Sequence, residues 1–187
     1  MYPIVTEKIN EYLESHRKDL DGIYISGGEP LMHEGVVSFL QYAKTLNYKI
    51  KIHTNGMFYE RLKTILAQKL VDHVSLDIKN APSAYAKTCG VEDMDLKDIE
   101  KSLDLLKQSV VPYDICVTLV DELHNQATIE ELGEWIQGVD TVILQPFEDR
   151  ETTIDHSLHR PSFKVVLKYK KIFEKYVKHV KIRGDQA

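Results

Sequence analysis

Ile23-Tyr24-Ile25-Ser26-Gly27-Gly28-Glu29-Pro30 is a short β-rich apolar run that stops at two glycines, a carboxylate and a proline. A helical pattern follows, with Val36, Phe39, Leu40, Ala43 and Leu46 at three-to-four spacing. Strand, turn, helix is the building unit of a parallel α/β sheet, and such sheets bind ligands at the carboxyl ends of their strands. Gly27 and Gly28 permit a left-handed backbone and leave main-chain N–H groups uncovered by any Cβ. Taken alone, the same residues also fit a glycine-rich bend that binds nothing.

Working outward, the pattern repeats. Alternating or apolar runs are centred near residues 25, 52, 76, 116 and 144. One helix is expected in each gap, including residues 95–109 through Leu96, Ile99, Leu103 and Leu106. Leu62, Ile65, Leu66, Lys69 and Leu70 form another. Thr128 and Glu131 have capping-box spacing, and Pro161 is placed to start a last helix. A helix from Val5 to Leu20 opens the chain, and Val180 to Arg183 offers a short edge strand. Repeated βα units give an α/β fold with a parallel sheet. A closed eight-fold barrel takes about 250 residues, so an open or partial barrel over residues 1–187, as one domain, is predicted.

Composition narrows the classes. With 187 residues, 43% apolar, 28% charged and a net charge of −5, the chain lacks the basic surface needed for non-specific nucleic-acid or acidic-membrane binding. No apolar run reaches membrane-spanning length and no signal-peptide core is present, so a cytoplasmic location is predicted. Cys89 and Cys116 are the only cysteines, which excludes a disulfide framework and a C-x-x-C pair.

The strands carry a polar parity that a sheet buried on both faces would not show. Lys51 and His53 oppose Ile50 and Ile52, while Ser75, Asp77 and Lys79 oppose Val74, Leu76 and Ile78. Asp114, Cys116 and Thr118 share one face of the next strand, and the fifth run ends at Gln145. His53, Asp77, Lys79, Thr118 and Gln145 are therefore expected to line a wet concavity beside the Gly27-Gly28 turn. An antiparallel sheet with one solvated face is the competing arrangement. Asp77 and Lys79 also suit a plain ion pair, and His156, His159 and Asp155 sit in a polar loop without the scaffold of a metal site.

Gly27-Gly28-Glu29-Pro30, Thr54-Asn55-Gly56, Asp77-Ile78-Lys79, Leu144-Gln145-Pro146-Phe147 and Ile182-Arg183-Gly184 occur in this order and at these spacings. That series resembles the radical S-adenosylmethionine superfamily, within it the glycyl-radical activating branch, and there the anaerobic ribonucleoside-triphosphate reductase activating proteins. The resemblance implies a partial (β/α)6 barrel holding a [4Fe–4S] cluster and S-adenosylmethionine, which yields a 5′-deoxyadenosyl radical for a glycine on the partner reductase. It implies that Gly27, Gly28 and Glu29 bind the methionyl amine, with Pro30 beside them among the cofactor-binding candidates, and that Asp77 and Lys79 flank the methionyl end, Lys79 toward the carboxylate. His53, Thr54, Asn55, Thr118 and Gln145 complete the cofactor-binding candidates, with Gln145 toward the nucleoside. The family's C-x-x-x-C-x-x-C loop and first strand precede the helix that opens this sequence, so the chain reads as truncated at its N-terminus. Cys116 also stands where the family often has an arginine. No cluster and only weak S-adenosylmethionine binding are therefore expected of these residues, with no radical chemistry. A catalytically dead remnant that binds a partner, and an unrelated phosphate-binding barrel enzyme, are the alternatives. The uncovered Ile23–Ser26 strand is expected to promote self-association.

Overall fold

Leu40 and Ala43, Leu62 and Ile65, Ile99 and Leu103, and Ile129 and Leu132 are helix pairs one turn apart, and all eight side chains are buried. They close over Ile50, Ile52, Val74, Leu76, Ile115, Val117, Val142 and Leu144, the apolar parity of the central strands. Each buried Val, Leu or Ile side chain among them contributes about 1.5–3 kcal/mol, and Ala43 less. This single layer between sheet and helices is what holds the fold.

In the computed structural model, residues 6–151 and 153–184 are described. Six strands run parallel in sequence order: β1 (Gly22–Ile25), β2 (Lys49–Thr54), β3 (His73–Asp77), β4 (Tyr113–Leu119), β5 (Thr141–Pro146) and β6 (His179–Ile182). The helices are α1 (Thr6–Ser15), α2 (Val36–Thr45), α3 (Tyr59–Ala67), α4 (Pro82–Thr88), α5 (Lys97–Lys107), α6 (Gln126–Trp135) and α7 (Phe163–Phe173). The sheet is open, with β1 and β6 as its edges. This is the partial (β/α) barrel expected from the sequence, and the parallel pairing rules out the antiparallel alternative. Among the described residues, no helix is long and apolar enough to cross a membrane.

Local details differ from the sequence reading. The opening helix stops at Ser15 rather than Leu20, and Val5 lies outside the described residues. The gap between β3 and β4 holds two helices rather than the one expected, because Pro82 begins α4. Lys69 is not on the apolar face of α3. It sits past the helix end at φ 56°, and the Leu70 N–H turns back to the Ile65 carbonyl at 2.9 Å. The capping box of α6 is Asn125 with Thr128, while Glu131 reaches across to the Ser83 N–H at 2.9 Å. Pro161 does not start the last helix: α7 begins at Phe163, with Ser162 as its cap.

Candidate ligand-binding site

The turn after β1 is pinned by its own glutamate. Glu29 Oε1 accepts from the Leu31 N–H (3.0 Å) and the Thr54 hydroxyl (2.8 Å), and Oε2 accepts from the Asn55 N–H (2.7 Å). Two of these charge-assisted bonds fasten the end of β1 to the end of β2, and the third holds the turn itself. Gly27 and Gly28 stand clear, at φ 92° and 53°, and a Cβ built on either would meet nothing within 4 Å. Their main chain faces open space. Gly56 is different: at φ 79°, a Cβ there would come within 2.8 Å of Leu76, so the Asn55-Gly56 turn needs glycine for packing as well as for conformation.

Ser26, Gly27, Gly28, Glu29, His53, Thr54, Asn55, Asp77 and Lys79 line one cleft of about 270 Å³ at the carboxyl ends of β1–β3. Asp77 Oδ2 accepts from Lys79 Nζ at 2.5 Å. Asp77 Oδ1 is buried with no partner among the described residues, and so is His53 Nε2. The two rings of contact meet here, for His53 Nε2 lies 4.0 Å from Asp77 Oδ2, too far to bond it. His53 Nδ1 is 2.8 Å from the Tyr24 hydroxyl. Burial pushes the imidazole pKa below its ordinary value, with Lys79 and Arg183 adding to the effect and Asp77 opposing it. A neutral ring that accepts from Tyr24 carries its proton on Nε2, and one that donates to Tyr24 carries it on Nδ1. A carboxylate, an imidazole, an ammonium and bare backbone thus stand around one cleft. That set suits a small zwitterion, an amine and a carboxylate together.

Eight of the eleven residues expected from sequence are gathered there: Gly27, Gly28, Glu29, His53, Thr54, Asn55, Asp77 and Lys79. Pro30 is buried and opens a 3₁₀ turn against a neighbouring apolar groove. Thr118 and Gln145 face each other across β4 and β5, outside the cleft lining, and Arg183 bonds Gln145. Tyr24 was missed. Its parity was readable, since it pairs in register with Lys51, but its apolar neighbours suggested a buried strand.

The thiols do not fit an iron–sulfur cluster. Such clusters take thiolate ligands. The sequence has two cysteines, Cys89 exposed at the end of α4 and Cys116 buried within β4. Burial raises both thiol pKa values, that of Cys116 to about 11, so both are protonated at neutral pH. Among the described residues, no group of three or more His, Cys, Asp or Glu side chains is arranged to hold a metal. His156 and His159 pair with Asp149 and Glu122 instead.

Comparison with known proteins bears on the family and the fold. A Methanocaldococcus jannaschii protein named "Putative glycyl-radical enzyme activating enzyme" is 30% identical over 169 residues, 87% of this chain and 70% of that protein. A domain of pyruvate-formate lyase-activating enzyme from Bacteroides vulgatus superposes with a TM-score of 0.68 at 19% identity, covering 87% of this chain and 99% of that one. Streptococcus suis SuiB bound to S-adenosylmethionine gives 0.75 at 13% identity, over 98% of this chain and 44% of SuiB. These last two likenesses bear on the fold alone. The sequence profile described as Radical SAM superfamily matches residues 1–136, well over half of the chain. The chain belongs to the radical SAM superfamily.

Proposed function

We propose that the cleft binds the methionyl end of S-adenosylmethionine, in a protein that serves a glycyl-radical enzyme, the anaerobic ribonucleoside-triphosphate reductase. The observation that carries the binding claim is the pair of buried, unpartnered atoms, Asp77 Oδ1 and His53 Nε2, on two residues that line the same cleft as Lys79. An unmet polar atom out of water costs about 1–3 kcal/mol, a cost that a bound ligand removes. Asp77 Oδ1 accepts from the α-amine, assisted by the Gly27-Gly28 main chain. Lys79 and the His53 N–H meet the carboxylate. Glu29 acts by holding the turn in shape. When bound, S-adenosylmethionine brings an activated sulfonium whose cleavage supplies the adenosyl group to chemistry.

The superfamily match sets aside an unrelated phosphate-binding barrel. The choice of partner rests on the similarity to an activating enzyme and on the Asp77-x-Lys79 and Gln145 segments. A cytoplasmic site of action follows from that partner. Two cysteines, one exposed at the end of α4 and one buried in β4, do not make up the ligand set of a cluster, so further thiolates for one come from outside residues 1–187, and these residues alone perform no reductive cleavage. The same donor set favours, as a second reading, a domain that binds ligand and partner without turnover. Anaerobic reconstitution with iron and sulfide, then reductant and S-adenosylmethionine, tests this. The expected result is loss of iron on desalting and no 5′-deoxyadenosine. Stoichiometric iron with 5′-deoxyadenosine formation would overturn it.

A further inference from the structure

His124 is 3% exposed and takes no part in lining the cleft, yet its ring is held by main chain on both sides. Nε2 lies 3.0 Å from the Lys79 carbonyl oxygen, and Nδ1 lies 3.1 Å from the Val120 nitrogen. The Val120 carbonyl is also 3.1 Å from Nδ1, but that oxygen already accepts from the Leu123 and His124 N–H groups, at 3.3 and 3.1 Å. A proton on Nδ1 would strand the Val120 N–H and set a lone pair against the Lys79 carbonyl. The neutral ring protonated at Nε2 satisfies every partner. Burial, the largest influence, lowers the imidazole pKa and so keeps the ring in this neutral form.

A second bond joins the same two segments. Asn80 Nδ2 donates to the Leu123 carbonyl at 2.8 Å and to Thr88 at 2.9 Å, while its Oδ1 accepts from the Ala81 N–H at 2.8 Å. The Tyr169 hydroxyl donates to the His124 carbonyl at 3.0 Å, which ties the assembly to α7. Lys79 is therefore a residue of two halves. Its side chain is 41% exposed at the cleft, and its carbonyl is gripped from behind by a buried ring. A flexible four-carbon stem can deliver its ammonium reproducibly only if the main chain beneath it is fixed.

We propose that His124 is a positioning residue for Lys79, fixing through its Nε2–H the main chain from which the ammonium reaches the ligand carboxylate. The proposal rests on the reading of the cleft as the methionyl site. Two near-isosteric variants separate it from a purely structural role. His124→Asn keeps an amide near the Nδ1 position, beside Val120, and cannot reach Lys79. His124→Gln carries its amide to the Nε2 position and keeps the donor to Lys79, leaving the Val120 N–H bare. Each loses one bond, so the melting temperatures should fall to a similar degree.

The test is equilibrium dialysis of the 187-residue chain with labelled S-adenosylmethionine, alongside amide hydrogen exchange over residues 78–81. The Gln variant should bind within about threefold of the parent, and the Asn variant should bind about tenfold more weakly, the worth of one buried hydrogen bond. Exchange at 78–81 should quicken in Asn and not in Gln. Equal losses in the two variants, or none in either, would overturn the proposal. If the parent binds no S-adenosylmethionine, the reading of the cleft fails. The positioning role then falls with it, and faster exchange at 78–81 in Asn than in Gln would leave His124 as a structural clamp on the Lys79 main chain only.

Discussion

Asp114 and Asp77 stand on the same concave face of neighbouring strands, one near the base of the sheet and one at its mouth. Asp114 is 4% exposed and fully served: Lys51 donates at 3.0 Å, His73 Nε2 lies at 2.6 Å, and the Ser75 hydroxyl donates as well. Burial alone would raise its pKa, and it is the largest single influence. The three donors together outweigh it and hold the carboxyl below its ordinary range. Asp77 has Lys79 on one oxygen and nothing on the other. The same side chain is thus a lock across β2, β3 and β4 in one place, and a half-filled socket in the other. A completed buried network specifies structure, whereas an incomplete one carries the cost of its unmet atoms.

The largest expected effect follows from removing each carboxylate. Asp114→Ala leaves Lys51 and His73 facing each other without a counter-charge. Both are about a third exposed, so solvent screens part of the loss, and a destabilisation of about 3 kcal/mol is expected. For a chain of this size that lowers the melting temperature by roughly 6–12 °C. Asp77→Ala should stay within about 1 kcal/mol of the parent, since it also removes an unmet acceptor. Urea denaturation of both variants checks the pair, and equal losses would erase the distinction.

A pH titration sharpens the contrast. The depressed carboxyl of Asp114 contributes stability above the ordinary carboxylate pKa of about 4, and this is lost as pH falls through the folded value. The imidazole of His53 is also depressed, here by burial first, so its contribution is complete above about 6.5 and fades as pH drops below that. Stability should thus decline in two stages on acidification, and Asp114→Asn should flatten the lower one. In NMR, His53 should titrate below 6.5, and titration at or above that value would refute the neutral ring.

Tyr24→Phe probes the mouth more gently. Losing the hydroxyl that orients His53 should weaken S-adenosylmethionine by about three- to tenfold with little change in stability. An unaltered affinity would remove Tyr24 from the site. The smallest effect expected is association through the β1 edge, which exposes Tyr24 and a row of backbone groups. Light scattering over a dilution series should show dimers only at the highest concentrations. A monomer throughout would mean the edge is protected.

The cleft was legible because its residues sit in the loops that end three alternating strands, and a parallel sheet brings all such loops to one side. Parity placed Asp77, Lys79 and His53 correctly. Thr118 and Gln145 have the right parity but stand on β4 and β5, and distance across the sheet is not written in alternation. Helix α4 was hidden by its proline, which reads as a breaker and served as a first residue. His124 lies in an ordinary polar turn, where no local pattern signals that a ring will reach the carbonyl of Lys79.

Lys79 and Lys51 make the most direct comparison, two lysines on one face, each paired to an aspartate, one at the mouth and one at the base. The decisive measurement is titration of S-adenosylmethionine into the parent, Lys79→Ala and Lys51→Ala chains. The parent should bind at roughly 10⁻⁴ M or weaker, as befits a ligand without its cluster tether. Lys79→Ala should abolish binding, and Lys51→Ala should leave it unchanged. Equal loss in both variants would reduce the interaction to diffuse charge attraction and contradict the assignment of the cleft.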